Sequence, residues 1–413
     1  MEAAPTHRAA SSAWPDGTEL VPFENLEGIV LLTATARGRN DRDTTGFFVL
    51  DTGAGYLALD ADLARALDIA DSSDSPTVVD LAPRPLPRFV IGRWTIDQVA
   101  PLLTVRMEAV RNATDRPVLG LLGHRPLRDR ALWIDYPARL LALIPATGRQ
   151  PSDRDSSREA SRKLLLGVLS RQAVAVPFRL VGDGKVLVEG RVSAAARRSA
   201  RLNLLVDTGS SKCVLFEEAL GLLGSTRGLE SLRGLIAPTL LGPGTAWLTR
   251  VDAIALVSSP PGAQARGVDV AVVQSRLSEV LSRATGETIH GLLGYSFLKR
   301  FRVGLDYPHR ILWLDPVRGF RDDRPYEYSQ IGLQLERLGK GVRVAAVAEG
   351  SPAARAGIAA GDVIVSLQGV SADTANVIRL THMLEGPPGS RVTLQVRRGE
   401  TERTYRIRRR RLL

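Results

Sequence analysis

The sequence predicts a mainly β protein built from two copies of one domain followed by a third unit. Three observations predict it. Four short words recur in the same order along the chain. Aromatic residues make up only 5% against 38 glycines and 24 prolines, which favours short strands and turns over long helices. At 413 residues the chain exceeds one small core and suits two to four units of ordinary size. Hydrophobic residues at 44% and charged residues at 24% lie in the folded globular range.

In the repeat, Val21-Pro22-Phe23 returns as Val176-Pro177-Phe178, and Leu50-Asp51-Thr52-Gly53 as Val206-Asp207-Thr208-Gly209. Gly120-Leu121-Leu122-Gly123 returns as Gly291-Leu292-Leu293-Gly294, and Asp135-Tyr136-Pro137-Ala138-Arg139 as Asp306-Tyr307-Pro308-His309-Arg310. Val21 to Asp51 is 30 positions and Val176 to Asp207 is 31, while both final words begin 15 positions after their Gly120 or Gly291. Only the middle differs, 69 positions from Asp51 to Gly120 against 84 from Asp207 to Gly291. In order, Ile29–Thr35 and Phe47–Leu50 read as strands around a polar loop. Val174–Leu180 and Val186–Val192 read as strands around the turn Gly182-Asp183-Gly184, and Leu202–Val206 runs into the second Asp-Thr-Gly. Leu132–Ile134 and Leu140–Ile144 flank a turn in which Asp135, like Asp306, is a turn residue. Residues 149–163, polar and without apolar periodicity, read as a linker that extended would reach about 50 Å.

The net charge of +11 comes mainly from arginine spread along the chain, with one dense basic run, Arg406–Arg411. That run has no interleaved aromatics and no nucleic-acid motif, so a solvated charged tail is expected and nucleic acid is not a predicted partner. The single cysteine, Cys213, excludes an intrachain disulfide and a cysteine-rich metal site, and is expected to be a small buried hydrophobe. The five histidines, His7, His124, His290, His309 and His382, never fall at zinc-ligand spacing, so no metal or other cofactor is expected. No apolar run reaches membrane-helix length, and residues 1–20, read as a flexible segment, carry no secretory signal.

Two Asp-Thr-Gly words at matching places in duplicated β domains carry chemistry that one alone does not. Two carboxylates held about 3 Å apart cannot both ionise and share one proton, one member taking a proton from water while the other donates to a carbonyl oxygen. With Leu50-Asp51-Thr52-Gly53-Ala54 braced by Leu122-Gly123, and Val206-Asp207-Thr208-Gly209-Ser210 braced by Leu293-Gly294, residues 21–317 resemble the two-lobed retropepsin/pepsin-like aspartic peptidases. The resemblance implies two pseudo-symmetric β-barrel lobes with Asp51 and Asp207 as the catalytic dyad. It also implies that Thr52 and Thr208 cross-link the loops and that Gly53 and Gly209 permit close approach. The hydroxyl of Ser210, absent at Ala54, is expected to donate to Asp207, so that Asp207 holds the charge and Asp51 the proton. Activity is expected at acidic to mildly acidic pH.

The family closes hairpin flaps over its substrate. Leu240–Thr245 is a candidate tip in the second lobe, and Asp80–Pro87, without glycine, a reduced cover in the first. Gly294-Tyr295-Ser296-Phe297-Leu298 lacks the last glycine of a nucleophile elbow, so Ser296 reads as loop or core.

From Gln330-Ile331-Gly332-Leu333 through Glu349–Ile358, Gly361-Asp362-Val363-Ile364 and Gly386–Ser390, the C-terminal part resembles a PDZ domain of the bacterial protease-associated kind. This implies a small α+β domain whose Gln330, Ile331, Gly332 and Leu333 loop receives a peptide's terminal carboxylate. Leu333–Glu336 would accept the peptide as an added strand, with a helix at about Ala372–Leu384 as the opposite wall. The terminal Leu412-Leu413 suits such a groove on a neighbouring molecule.

The expected organisation is residues 1–20, a flexible segment; 21–148, lobe one; 149–163, a linker; 164–317, lobe two; 318–325, a linker; and 326–413, the PDZ domain. The expected function is an aspartic endopeptidase acting on protein or peptide substrates, with the PDZ domain recruiting or positioning them. The alternative is a catalytically inactive peptide-binding scaffold, and a further rival pairs the lobes between two chains. The resemblance points to a cell-envelope or secreted location, and the absent signal to the cytoplasm.

Overall fold

The computed structural model of the chain describes residues 14–69, 77–79, 88–96, 101–146, 153–194, 198–224, 229–239, 242–258, 262–274 and 276–413. The protein is mainly β, as expected. In lobe one, Glu19–Leu26 turns at Glu27-Gly28 into Ile29–Arg37. Both turn residues have positive φ, 54° and 94°, a hairpin geometry whose twist matches the flanking strands. Glycine is required at 28 for a second reason: a Cβ there would lie 2.4 Å from the Tyr295 ring of lobe two.

Asp43–Leu50 then delivers the chain to Asp51, with Val118–Leu122 parallel beside it and Leu57–Asp60 antiparallel beyond. The strand order is Ile29–Arg37, Asp43–Leu50, Val118–Leu122, Leu57–Asp60, Leu102–Val105. Lobe two repeats it as Lys185–Ala194, Arg198–Val206, Gly291–Leu293, Cys213–Phe216, Gln264–Gln274. The order, with its parallel crossover, is therefore duplicated along with the sequence words. The longer middle of lobe two is a hairpin of Ser231–Thr239 with Gly242–Leu256. Residues 242–245 of the candidate flap tip form the start of its second strand, whereas residues 240–241, and the lobe-one cover at 80–87, lie outside the described residues.

The lobes join within one chain through a continuous antiparallel sheet. Its order is Val174–Pro177, Ile311–Pro316, Phe301–Asp306, Arg130–Asp135, Leu140–Pro145, Glu19–Leu26. At its centre Leu132 faces Leu305 and Ile134 faces Val303, two pairs that exchange under the repeat, while Trp133 faces its own equivalent, Gly304. The pseudo-twofold axis thus passes through a Trp–Gly pair. A Cβ at Gly304 would meet Trp133 at 3.1 Å and Trp313 at 3.0 Å, so one copy gave up its side chain to admit the other's indole.

Residues 149–163 read as a polar linker without apolar periodicity. There Arg154–Leu164 is a helix, N-capped by the Asp153 carboxylate, which accepts the Ser156 N–H at 2.9 Å. It presents the small buried Ser157 and Ser161 to the interlobe sheet, and Trp313 Nε1 donates to Ser161 Oγ at 2.8 Å. Serines give a packed face with no apolar period, which is why the pattern concealed it.

The C-terminal sheet orders Leu333–Leu338, Gly341–Val347, Val363–Leu367, Arg391–Arg398, Thr401–Arg408 around a separate core, with helices Pro352–Arg355 and Val377–Leu384. The groove-wall helix is thus shorter than the expected Ala372–Leu384. The basic end runs as strand and not as a free tail, with Arg406, Arg408, Arg410 and Arg411 exposed. Arg409 is buried, donating to the Met383 and Leu384 carbonyls at the end of the helix, and Arg410–Arg411 pairs with Ser329–Gln330. Leu413 is 3% exposed, which removes it as a free docking end. Among the described residues no helix is long and apolar enough to cross a membrane.

Gly304→Val overpacks the axis and is expected to destabilise the protein by about 1–3 kcal/mol, read as a lower urea midpoint at unchanged m-value.

Candidate active site

The two Asp-Thr-Gly loops meet beside the interlobe sheet. Thr52 N–H donates to Thr208 Oγ1 at 3.1 Å and Thr208 N–H to Thr52 Oγ1 at 3.1 Å. Each hydroxyl then donates across the interface, Thr52 Oγ1 to the Val206 carbonyl at 2.8 Å and Thr208 Oγ1 to the Leu50 carbonyl at 2.6 Å. Both threonines are fully buried. This reciprocal lock fixes each aspartate relative to its partner.

Behind each loop the brace is also duplicated. Asp51 N–H donates to the Leu122 carbonyl at 3.0 Å and Asp207 N–H to the Leu293 carbonyl at 3.1 Å. Gly123 and Gly294 pass so close to the loops that a Cβ would lie 2.2 Å from Tyr56 O and 2.1 Å from Lys212 O. His124 N–H and Tyr295 N–H then donate to Ala54 O and Ser210 O, each at 2.9 Å. All the residues expected to support the loops therefore converge: Thr52, Gly53, Ala54, Leu122 and Gly123 from one lobe, and Thr208, Gly209, Ser210, Leu293 and Gly294 from the other.

The two carboxyls flank one point: a Cβ on Gly53 would lie 3.1 Å from both Asp51 Oδ1 and Asp207 Oδ1. Each glycine allows the opposite aspartate in: a Cβ on Gly53 would lie 3.0 Å from Asp207 Cγ, and one on Gly209 2.8 Å from Asp51 Cγ. Burial raises both carboxyls, and Asp207 goes well above the ordinary range because the Asp51 charge adds to its burial.

The expected charge assignment is reversed. Ser210 Oγ donates to the Lys212 carbonyl at 2.8 Å and not to Asp207. Asp51 Oδ1 accepts two backbone N–H groups, Gly53 at 2.9 Å and Ala54 at 3.1 Å, whereas Asp207 Oδ1 accepts that of Gly209 at 2.9 Å. With more donors, Asp51 keeps the charge and Asp207 the proton, which it shares with Asp51.

Sequence reasoning missed several groups around this pair. Lys185, 8% exposed, follows the turn Gly182-Asp183-Gly184. It is ion-paired to Asp183, and its charge lowers both aspartates. Asp183 itself presses on lobe one, where a Cβ at Gly55 would clash with its carboxyl at 2.1 Å.

Tyr136 and Tyr307, the second residues of the repeated turn word, bury their hydroxyls without a hydrogen-bond partner. Each feels the opposite lobe's aspartate, Tyr136 that of Asp207 and Tyr307 that of Asp51. Their rings pack on Tyr295 and His124, 5.1 and 4.7 Å between centroids, the residues that follow the two brace glycines. Burial lowers His124 to about 4, so it stays neutral above that pH. The turn aspartates behave as expected, Asp135 accepting Ala138 N–H at 3.0 Å and Asp306 accepting His309 N–H at 3.1 Å. Ser296 is buried and donates to the Asp269 carbonyl at 2.7 Å, in keeping with a core role. Cys213 is buried, as expected.

Comparison with known proteins divides the chain. Residues 188–297 match the aspartyl protease family and residues 329–408 the PDZ domain family. The C-terminal region is therefore a PDZ domain. Among curated proteins, the serine protease Do-like HtrA of Bacillus subtilis (strain 168) is 35% identical over 82 residues, 20% of this chain and 18% of that protein. The chloroplastic carboxyl-terminal-processing peptidase 2 of Arabidopsis thaliana is 39% identical over 125 residues, 29% of this chain and 24% of that protein. The chain thus spans less than a quarter of the length of these curated relatives. A solved PDZ domain of the carboxy-terminal protease from Vibrio cholerae, in complex with peptide, is 23% identical at a TM-score of 0.19, covering 20% of this chain and 94% of that one.

Thr208→Val leaves the Leu50 carbonyl and the Thr52 N–H buried without partners and is expected to cost about 1–3 kcal/mol per group in chemical unfolding. Thr208→Ser, which keeps the hydroxyl, is expected to retain most of that stability.

Proposed function

We propose that the protein is an aspartic endopeptidase with a PDZ domain. The observation that carries this reading is the reciprocal Thr52–Thr208 lock, which sets the buried Asp207 carboxyl against the half-buried Asp51 carboxyl in a site that both lobes complete. The aspartyl protease match over 188–297 supports it from one lobe, and lobe one repeats the same loop and brace. The serine protease Do-like HtrA and the carboxyl-terminal-processing peptidase 2 match over 82 and 125 residues of the 413, and the serine in the one elbow-like word, Ser296, is occupied in the core.

In this mechanism Asp51 takes a proton from a water held between the carboxyls, and Asp207 donates its proton to the scissile carbonyl oxygen. The resulting tetrahedral adduct collapses as the proton gained by Asp51 passes to the leaving nitrogen and an adduct hydroxyl returns a proton to Asp207, so the C–N bond breaks and the pair regains its starting protonation. One proton on the pair is required throughout. Activity disappears as pH falls through the Asp51 transition, because no base remains, and as pH rises through the Asp207 transition, because no acid remains. Raising Asp207 by burial and by the Asp51 charge carries the upper limit towards neutrality.

Casein digestion across pH 3–8 tests the reading. Wild type is expected to cleave, with Asp51→Asn and Asp207→Asn each reduced at least about a hundredfold. Cleavage that survives both substitutions would remove the aspartic mechanism, and a folded wild type inert at every pH would favour the peptide-binding scaffold. Lys185→Met withdraws a positive charge that favours ionised carboxyls, so both limbs of its kcat/KM profile are expected to move to higher pH. Unmoved limbs would show that Lys185 does not act on the pair.

A further inference from the structure

We propose that the peptide groove of the PDZ domain is held by lobe one of the same chain. The lobe-one turn at Glu27 and the helix Glu108–Thr114 occupy the site, so a peptide C-terminus enters only by displacing them. The proposal rests on the PDZ assignment of residues 329–408 and not on the aspartate pair.

PDZ domains bind an extended peptide as an extra strand on an open sheet edge, here with Leu333–Leu338 as that edge and Val377–Leu384 as the opposite wall. Leu333–Leu338 pairs with Gly341–Val347 on one side, and among the described residues no strand adds to its other side. The helix Glu108–Thr114 contacts both walls. Its cap, Asp115, joins them with one carboxylate: Oδ2 pairs with Arg337 Nη2 of the edge strand at 2.9 Å and accepts the Val377 N–H of the wall helix at 3.1 Å. Asp115 adopts φ 53° to do so, a left-handed conformation that aspartate tolerates better than most residues.

The wall helix has two occupied faces. Val377, Leu380 and Leu384 point into the PDZ core. Ile378, His382 and Glu385, spaced i, i+4 and i+7, line the other face. Ile378 packs into a lobe-one cluster of Leu26, Leu31, Met107 and Val110. His382 Nε2 meets Glu27 Oε1 at 2.5 Å, and Glu385 is paired to Arg324, which also pairs with Glu27. Ile378 and His382 on the outward face are thus engaged directly by lobe one, and Glu385 at the helix end through Arg324.

The docked helix differs from its counterpart. Leu277–Thr285 holds the equivalent place in lobe two, between the strands Gln264–Gln274 and Gly291–Leu293, and has no buried residue. The position itself does not demand a docked helix. In lobe one Asp60 anchors it, accepting Met107 N–H at 2.9 Å and pairing with Arg111 at 2.9 Å. From Asp115 the chain runs directly into Val118–Leu122, the strand whose last carbonyl holds Asp51 N–H. Exchange of the helix for a peptide therefore acts on a segment continuous with the dyad brace.

A groove open only part of the time binds with an apparent Kd raised by the inverse of its open fraction. The test uses the full chain and a fluorescein-labelled pool of ten-residue peptides with apolar C-terminal residues and free carboxylates, with the C-terminal amides as control. Fluorescence anisotropy reads binding without turnover, so a failed dyad reading leaves the test intact. Glu27→Arg with Asp115→Arg, both outside the PDZ domain, is expected to bind the pool at least tenfold more tightly than wild type and to ignore the amides. Asp115→Ala alone, a milder change if the double variant misfolds, is expected to move the same way. Hydrogen exchange at residues 107–115 of wild type is expected to quicken on adding saturating peptide. Equal affinity of wild type and the folded variants, no binding by any of them, or peptide bound to wild type with these amides unchanged would each overturn the proposal.

Discussion

The reciprocal threonine contact is the constraint on which the site depends. Thr52 and Thr208 stand 156 residues apart, yet each supplies the acceptor for the other's N–H and a donor to the strand that leads into the other's loop. No single strand or turn could place two carboxyls against one another at a cost that burial opposes. The lock does so because its four polar groups are buried and satisfied only when the lobes are in register. The interlobe sheet sets that register, with Trp133 seated against Gly304 on the axis. Folding energy from packing is in this way converted into a strained electrostatic arrangement, which is how buried carboxyls acquire unusual protonation.

Near-symmetry and its breaking have separate consequences. Brace, lock and glycine approach are duplicated almost atom for atom, and a perfectly symmetric pair would give neither aspartate a fixed role. The structure departs from symmetry in small ways. The Ala54 N–H adds a donor to Asp51, whereas the Ser210 hydroxyl turns away to Lys212 O. Lys185 enters from lobe two, and its equivalent turn in lobe one carries Glu27 and Gly28, which face Tyr295 and the PDZ domain instead. The same duplicated hairpin therefore tunes the dyad in one copy and anchors the third domain in the other.

Much of the site was legible in the sequence because it is local. The Asp-Thr-Gly words, their brace glycines and the turn aspartates are fixed by neighbours a few positions away, and repetition marked them. What was not legible is what depends on distant partners. Ser210 carries the hydroxyl expected to steer the charge, but its bond goes to a carbonyl two residues on, a choice of rotamer that sequence does not express. Arg154–Leu164 hid as a linker because serines form its packed face. Tyr136 and Tyr307 were visible only as repeated letters, since nothing in a turn word says that its ring will reach the opposite lobe's aspartate. The contact of Asp115 with Val377 and Arg337 likewise joins residues over 200 positions apart and follows no period.

The central claim is that Asp51 and Asp207 share one proton as a unit. Carboxyl-carbon NMR of aspartate-labelled protein, assigned by difference against Asp51→Asn and Asp207→Asn, tests it most directly. A proton-sharing pair gives two separated transitions belonging to the pair, with the first ionisation assigned mainly to Asp51 and the second well above the ordinary carboxylate range. Two independent titrations at ordinary aspartate values, each unaffected by substitution of the other residue, would contradict it.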